Sequence, residues 1–263
     1  MNSCKNRMRV VVLGLTALLL SSSVVAAGQD SKRASTQEEL NYLYRVVFLQ
    51  AKPAGLAPML ELLQSDQAKA LWKQQGQARP MMLRHSQGDA WDLMLMYPIK
   101  SYADYYSASA IERRDTPEQE AFSDLMDDLT VSEEVLFSYG EDLEAVQAAY
   151  DANGFFHIEI FDALNGKKDE LFQQRVMENV YATALGRPGN FIFLGDQGTD
   201  GDNFTIGYYK NLQAYAGVGL PVLSQQEKRE AAIAAGFENE TTIGTYLREL
   251  LFAHHDTLAV KVK

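Results

Sequence analysis

The chain has 263 residues, 24 Lys and Arg against 35 Asp and Glu, four histidines, one cysteine and a formal net charge of −11. That acidity argues against nucleic acid or an anionic membrane as the main partner. The lone cysteine, Cys4, precedes the first apolar run, so a chain cleaved behind that run has no disulfide, thiolate nucleophile or cysteine-bound metal.

The first residues read as a secretory signal. Lys5, Arg7 and Arg9 form a basic n-region, Val10 to Leu20 is an apolar run short for a bilayer span, and Val25-Ala26-Ala27 offers small residues for cleavage after Ala26 or Ala27. Cys4 lies on the wrong side of the run for lipidation. Cleavage removes three cations and no anion, taking the net charge from −11 to −14. A periplasmic or secreted location is expected, with no integral membrane segment in the mature chain. Residues 1–27 are assigned to the signal, 28–41 to a polar linker with a loose helix, 42–150 to a first folded unit and 151–263 to a second.

The first unit opens on the strand-forming run Tyr44 to Leu49. Leu56, Met59, Leu60 and Leu63 then recur at helical spacing, predicting one helix to about Gln75. Met81 to His85 and Ala90 to Tyr97 are strand-like and joined by the turn Ser86-Gln87-Gly88-Asp89. A charged helical region is expected from Pro117 to Tyr139. The closing strand would fall near Leu143 to Ala149, which reads equally well as helix. Tyr102, Tyr105 and Tyr106 form an aromatic cluster suited to rim an entrance or to cover the core.

The second unit repeats this order. Phe155 to Phe161 is a strand, and Lys168 to Leu185 a helix with Phe172, Val176 and Val180 along one face. Phe191 to Leu194 and Phe204 to Tyr209 are strands joined by an Asp/Gly-rich loop. Helices are expected over Gln225 to Ala235 and, capped by Asn239, over Thr241 to Ala253. Leu258 to Val262 is a closing strand.

Local matches support a repeat. Gly88 to Leu93 recurs as Gly201 to Ile206, an offset of 113, and Leu136 to Val146 as Leu251 to Val260, an offset of 115. Arg79-Pro80 and Arg187-Pro188 precede the first pair, and Tyr44 to Ala51 lines up with Phe156 to Ala163. The predicted fold is α+β: two tandem ferredoxin-like βαββαβ units whose antiparallel sheets pair into a barrel-like core.

On this element order and duplication, residues 42 to 263 resemble the dimeric α+β-barrel superfamily. That group includes NIPSNAP-type proteins, antibiotic-biosynthesis monooxygenases, EthD-like proteins and the haem-binding chlorite dismutases. The resemblance implies that the sheet face turned away from the helices lines the barrel interior. It implies no catalytic residue, since no diagnostic motif is present. An internal duplication lets one chain supply both halves, so a monomer or a homodimer fits.

Strand alternation gives the sharpest site expectation. Phe156, Ile158 and Ile160 share one face, and His157, Glu159 and Phe161 the other. With the apolar face against the helices, His157 and Glu159 would point into the barrel as candidate catalytic residues, with Arg45 at the first-unit position of His157. A self-satisfied buried ion network is the alternative. His254-His255-Asp256, read as a helix end, and Arg84, His85 and Tyr209 complete the candidate ligand-binding set. Asp196 to Asn203 is acidic enough to suggest calcium but lacks the closing glutamate of an EF-hand, so a solvated turn is the plainer reading. Trp91 and Phe204 are expected at equivalent core positions, with Leu93 and Leu95 on the face of Trp91.

The chain has no GxSxG elbow, P-loop, GxGxxG after a strand, or HExxH. With four histidines and no mature cysteine, no metal site is expected. No cofactor is called for by the residues. The family resemblance leaves haem as a minor alternative, with His157 or His254 as its axial ligand. The expected function is small-molecule binding, or a cofactor-poor enzyme, at a site inside the barrel. A non-catalytic scaffold of the cell envelope is the competing reading.

Overall fold

The structure is a computed structural model that describes residues 33–198 and 201–262. The expected signal segment lies outside them. Eight strands form one closed antiparallel barrel: β1 (Tyr42–Ala51), β2 (Met81–Gln87), β3 (Leu93–Lys100), β4 (Thr130–Gly140), β5 (Phe155–Ala163), β6 (Phe191–Gly198), β7 (Asn203–Tyr209) and β8 (Leu251–Lys261). The ring runs β1-β3-β2-β8-β5-β7-β6-β4 and closes where β4 pairs with β1. Outside it lie α1 (Leu56–Gln64), α2 (Asp66–Gln74), α3 (Tyr102–Tyr105), α4 (Ala108–Arg114), α5 (Pro117–Asp127), α7 (Lys168–Ala184), α8 (Leu212–Tyr215), α9 (Gln225–Ala234) and α10 (Ile243–Leu250). The connecting helix α6 (Leu143–Ala152) lies across one barrel end, with Val146 and Tyr150 in the interior cluster. None of the described helices is long and apolar enough to cross a membrane.

The first four strands pair in the order β4-β1-β3-β2 and the last four in the matching order β8-β5-β7-β6. Local devices recur too. β1 carries a bulge against β4 between Gln50 and Ala51, and β5 carries one against β8 between Asp162 and Ala163. Asp92 accepts a hydrogen bond from Ala51 N (2.8 Å) and Asp202 one from Ala163 N (2.9 Å). Gly88 and Gly198 both take positive φ, 122° and 119°, where a Cβ would collide with the carbonyl of Asp256 or of Val135.

These correspondences correct parts of the sequence reading. Gly88 matches Gly198 rather than Gly201. Phe204 lies opposite Ile160 as Met94 lies opposite Phe48, so Phe204 matches Met94, and Trp91 precedes β3. Leu93 and Leu95 pack against the helices while Trp91 joins the interior. Leu136 lies opposite Val46, but Leu251 lies opposite Ala163, so those two similar segments are out of register. Short Gly-Asp and Leu-Phe likenesses are too sparse to fix register, whereas paired backbones do so rigidly.

Element boundaries shift for local reasons. Ser65 splits the expected first helix in two, its hydroxyl accepting from Ala68 N to start α2. The charged region after Pro117 is helical only to Asp127; Thr130–Gly140, rich in β-formers at both ends, is the closing strand of the first half. Leu143–Ala152 is helix. The last helix stops at Leu250, started by Thr242 and not Asn239, and the remaining chain is one long strand. In α7 the buried face carries Leu171, Phe172, Arg175 and Asn179, and Val180 is exposed.

A large apolar cluster fills the middle of the barrel. Tyr44, Met96, Phe156, Phe193, Phe204 and Ile206 are each fully buried within it, and Tyr150 OH bonds both Met82 N and Met82 O at 3.1 Å. The opposite strand faces meet the helices: Val47, Leu49 and Leu95 pack on Met59, Leu63 and Trp72.

Candidate functional site

On β5 the alternation runs opposite to expectation. Phe156 and Ile158 fill the barrel, and His157, Glu159 and Phe161 face outward toward α7, α8 and α10. On β5 both faces carry buried apolar residues, Phe156 and Ile158 on one and Phe155 and Phe161 on the other, so an apolar face does not by itself point to helices. The fully apolar run Phe156, Ile158 and Ile160 went to the interior.

The outward residues make a compact cluster between β5 and β8. Glu159 stands directly across from Asp256, and His157 and His254 stand two residues away along their strands, as diagonal neighbours on the same face. His157 Nε2 lies 2.6 Å from Asp256 Oδ1, and His254 Nε2 lies 3.6 Å from Glu159 Oε1. The ring of His254 stacks on Phe161, centroids 4.9 Å apart. Thr205 donates to Glu159 Oε2 (3.3 Å), and the buried Arg175 guanidinium stands 3.8 Å from that same oxygen. Arg175 also holds Gln174 and Glu178.

Glu159 is only 9% exposed. Burial alone would raise its carboxyl, but the hydrogen bond from His254 and the charges of Arg175, His157 and His254 outweigh that, and the net shift is downward. Tyr215, beside His157 with ring centroids 5.3 Å apart, is pushed up by burial and by the Asp256 and Glu159 charges.

His157, Glu159 and Glu178 of this cluster line a cleft of about 370 Å³ walled by Arg187, Asn179, Tyr209 and Tyr215. Asn179 is pinned by Asn190, donating to its carbonyl (2.8 Å) and accepting from its N–H (2.7 Å). Gly207 keeps the floor open, since a Cβ there would meet Tyr209 and Asn190.

The first half provides an internal control. Arg45 does occupy the His157 position, and it pairs with Glu133 (3.4 Å) and lies over Tyr97. Its cleft measures about 250 Å³. At the positions of Glu159 and Asp256 the first half has Val47 directly across from Val135. The fold therefore accepts an apolar pair exactly where the second half holds two carboxylates.

The structure thus gathers His157, Glu159, His254, Asp256 and Tyr209, and separates the other candidates. Arg45 is in the first-half cleft, and Arg84 is exposed. His85 points inward against Trp91, ring centroids 5.6 Å apart. His255 sits at the open barrel end, 3.4 Å from Asp89, above a cleft of about 340 Å³ floored by Phe48, Trp91 and Ile160. His254-His255-Asp256 is strand and not a helix end, so His254 and Asp256 share the outer face while His255 faces the mouth. Asp202 is engaged by Ala163 and Lys168, and Thr199 and Asp200 lie outside the described residues. The tyrosine cluster packs on Phe137, with Tyr102 donating to Asp196 (2.7 Å).

Arg175, Thr205, Arg187 and Tyr215 were missed in the sequence. A signal existed for Arg175: Leu171, Arg175 and Asn179 fall at spacing four, putting two polar side chains on a buried helical face.

Contrary to the sequence expectation, a metal-competent group is present. Ligand atoms of His157, Glu159 and Asp256 all lie within 4.8 Å of one another. Haem fits poorly. Its axial imidazole needs a flat apolar slot beside it, yet His157 is held by Asp256, His254 lies flat on Phe161, and Glu159, Thr205 and Arg175 occupy the floor between.

No protein-family model matches the chain, and no curated protein sequence matches it. Solved structures do. An anthrone oxidase-like protein aligns at TM-score 0.54 and 13% identity over 85% of this chain and 92% of that one. A provisionally assigned monooxygenase from Fusobacterium nucleatum aligns at 0.52 and 10% identity over 84% and 93%. A mutant chlorite dismutase from Candidatus Nitrospira defluvii reaches 0.47 at 10% identity over 86% and 95%. At these identities the first two alignments show a shared ferredoxin-like α+β-barrel fold and nothing of the chemistry.

Proposed function

We propose that the protein is an exported, internally duplicated binder of small polar molecules, with its site in the outer-face cleft of the second half. One observation carries this reading: Glu159 and Asp256 stand where the first half has Val47 and Val135. Like charges placed directly across a ladder destabilise it, so their retention in one half favours a role beyond folding. The packed interior cluster supports a site on the outer face over one deep inside the barrel. Within the cleft, Arg187 offers an anion contact, Tyr209 and Tyr215 a flat apolar wall, and His157, oriented by Asp256, a proton acceptor. The recurring bulges, aspartate bonds and strand order support duplication, and a ring complete within one chain supports a self-sufficient monomer. Export rests on the N-terminal sequence, and the intact mass of the cell-derived protein checks it: loss of residues 1–26 or 1–27 is expected.

The test is native mass spectrometry of protein recovered from its own compartment. A small-molecule adduct on the wild type that disappears in Arg187→Ala and Tyr215→Ala is expected. A bare mass would favour the second reading, a non-catalytic envelope interaction protein. That reading draws support from the filled interior and from Phe252, which is 80% exposed.

A further inference from the structure

We propose that His157, Glu159 and Asp256 bind one divalent first-row metal ion beside the second-half cleft, which His157 and Glu159 line; this deepens the small-molecule reading and rests on it. Three observations converge. The ligand atoms of one imidazole and two carboxylates lie within 4.8 Å of one another. A tetrahedral zinc site with bonds of about 2.1 Å spaces its ligands roughly 3.4 Å apart, so side-chain adjustment of about an ångström closes the group. His157 Nε2 and Asp256 Oδ1, 2.6 Å apart, part to admit the ion.

Charge is the second observation. Glu159 and Glu178 flank the guanidinium of Arg175, Asp256 stands beyond them, and Arg187 lies on the cleft wall, so carboxylates outnumber guanidiniums three to two. A cation relieves that excess of negative charge. Thr205 and Arg175 hold Glu159 Oε2, leaving Oε1 for the ion. The third is the internal control: Val47 and Val135 show that the backbone at this place needs no carboxylate. A mixed set of one nitrogen and two oxygens suits zinc, manganese or iron over calcium or magnesium, and the usual affinity order puts zinc above manganese.

The experiment is isothermal titration of EDTA-dialysed protein with zinc sulfate and then manganese chloride, with thermal melts alongside. One zinc per chain, tighter than manganese, and a raised Tm are expected. His157→Ala and Asp256→Asn each weaken zinc at least tenfold. Glu159→Val, the residue of the first half, abolishes the site while the protein still melts cooperatively. His255→Ala, on the same strand but facing the barrel mouth, leaves binding unchanged. No heat of binding, or binding indifferent to His157→Ala and Asp256→Asn, overturns the proposal. Loss of zinc binding in His255→Ala alone would place adventitious metal at the mouth and overturn it as well. If zinc fails while the organic adduct is still lost in Arg187→Ala, the metal proposal falls and the cleft reading stands.

Discussion

Arg175 and Glu159 show how much one helix residue contributes to this site. Arg175 is 3% exposed and anchors both Glu159 and Glu178. Removing one partner of a buried pair leaves the other charge unsatisfied, at a cost of about 3–5 kcal/mol. Arg175→Ala is therefore expected to lower unfolding free energy by that amount in urea titrations. The double variant Arg175→Leu/Glu159→Val, which makes the floor apolar as in the first half, should recover most of it. Failure of the double variant to recover stability would mean that the pair does more for packing than for charge. From the sequence, the alternation on β5 identified which side chains share a face, and so the pairing of His157 with Glu159. It did not identify which face is inside, because helices and barrel both offer apolar cover.

At the scale of elements, the strand ends and the N-terminal arm carry testable strain and charge. Gly88 and Gly198 sit at equivalent positive-φ positions under a neighbouring carbonyl. Alanine at either is expected to cost at least about 1–3 kcal/mol, by similar amounts in chemical denaturation, because the two sites share one geometry. Glu141 links the arm to the end of β4, 3.2 Å from Arg33 and from Ala34 N. Burial raises its carboxyl, outweighing the Arg33 charge and the Ala34 bond. A folded-state pKa above the unfolded value of about 4.3 means that stability is lost as pH rises from the unfolded to the folded value. Glu141→Gln should accordingly gain on the wild type between pH 4 and pH 7 in thermal melts, and a gain in the opposite direction would contradict the burial argument. The strands of the second half and the hairpins were legible from alternation and turn residues. The β4 and β8 boundaries were not, since Glu133-Glu134 and His254-His255-Asp256 put polar residues on both faces and blunt the period of two.

As a whole, the molecule is one ring in which each half completes the other. The seams β2–β8 and β4–β6 run between halves, and α6 caps the shared interior. Residues 42–150 expressed alone should therefore lack a cooperative melt, their seam edges unpaired; a cooperatively folded fragment would contradict a shared core. The matching strand order of the two halves was readable in the sequence through element order, but the register was not, because the devices that set it are backbone bonds and bulges. The account turns on the claim that Glu159 and Asp256 are kept for a ligand and not for the fold. The direct test is Arg175→Leu/Glu159→Val/Asp256→Val, which gives the second half the apolar cross-strand pair of the first without stranding the buried Arg175 guanidinium, read by native mass spectrometry and thermal melting together. The account predicts a variant at least as stable as the wild type that has lost its bound ligand. A variant that unfolds, or one that keeps the ligand, would contradict it.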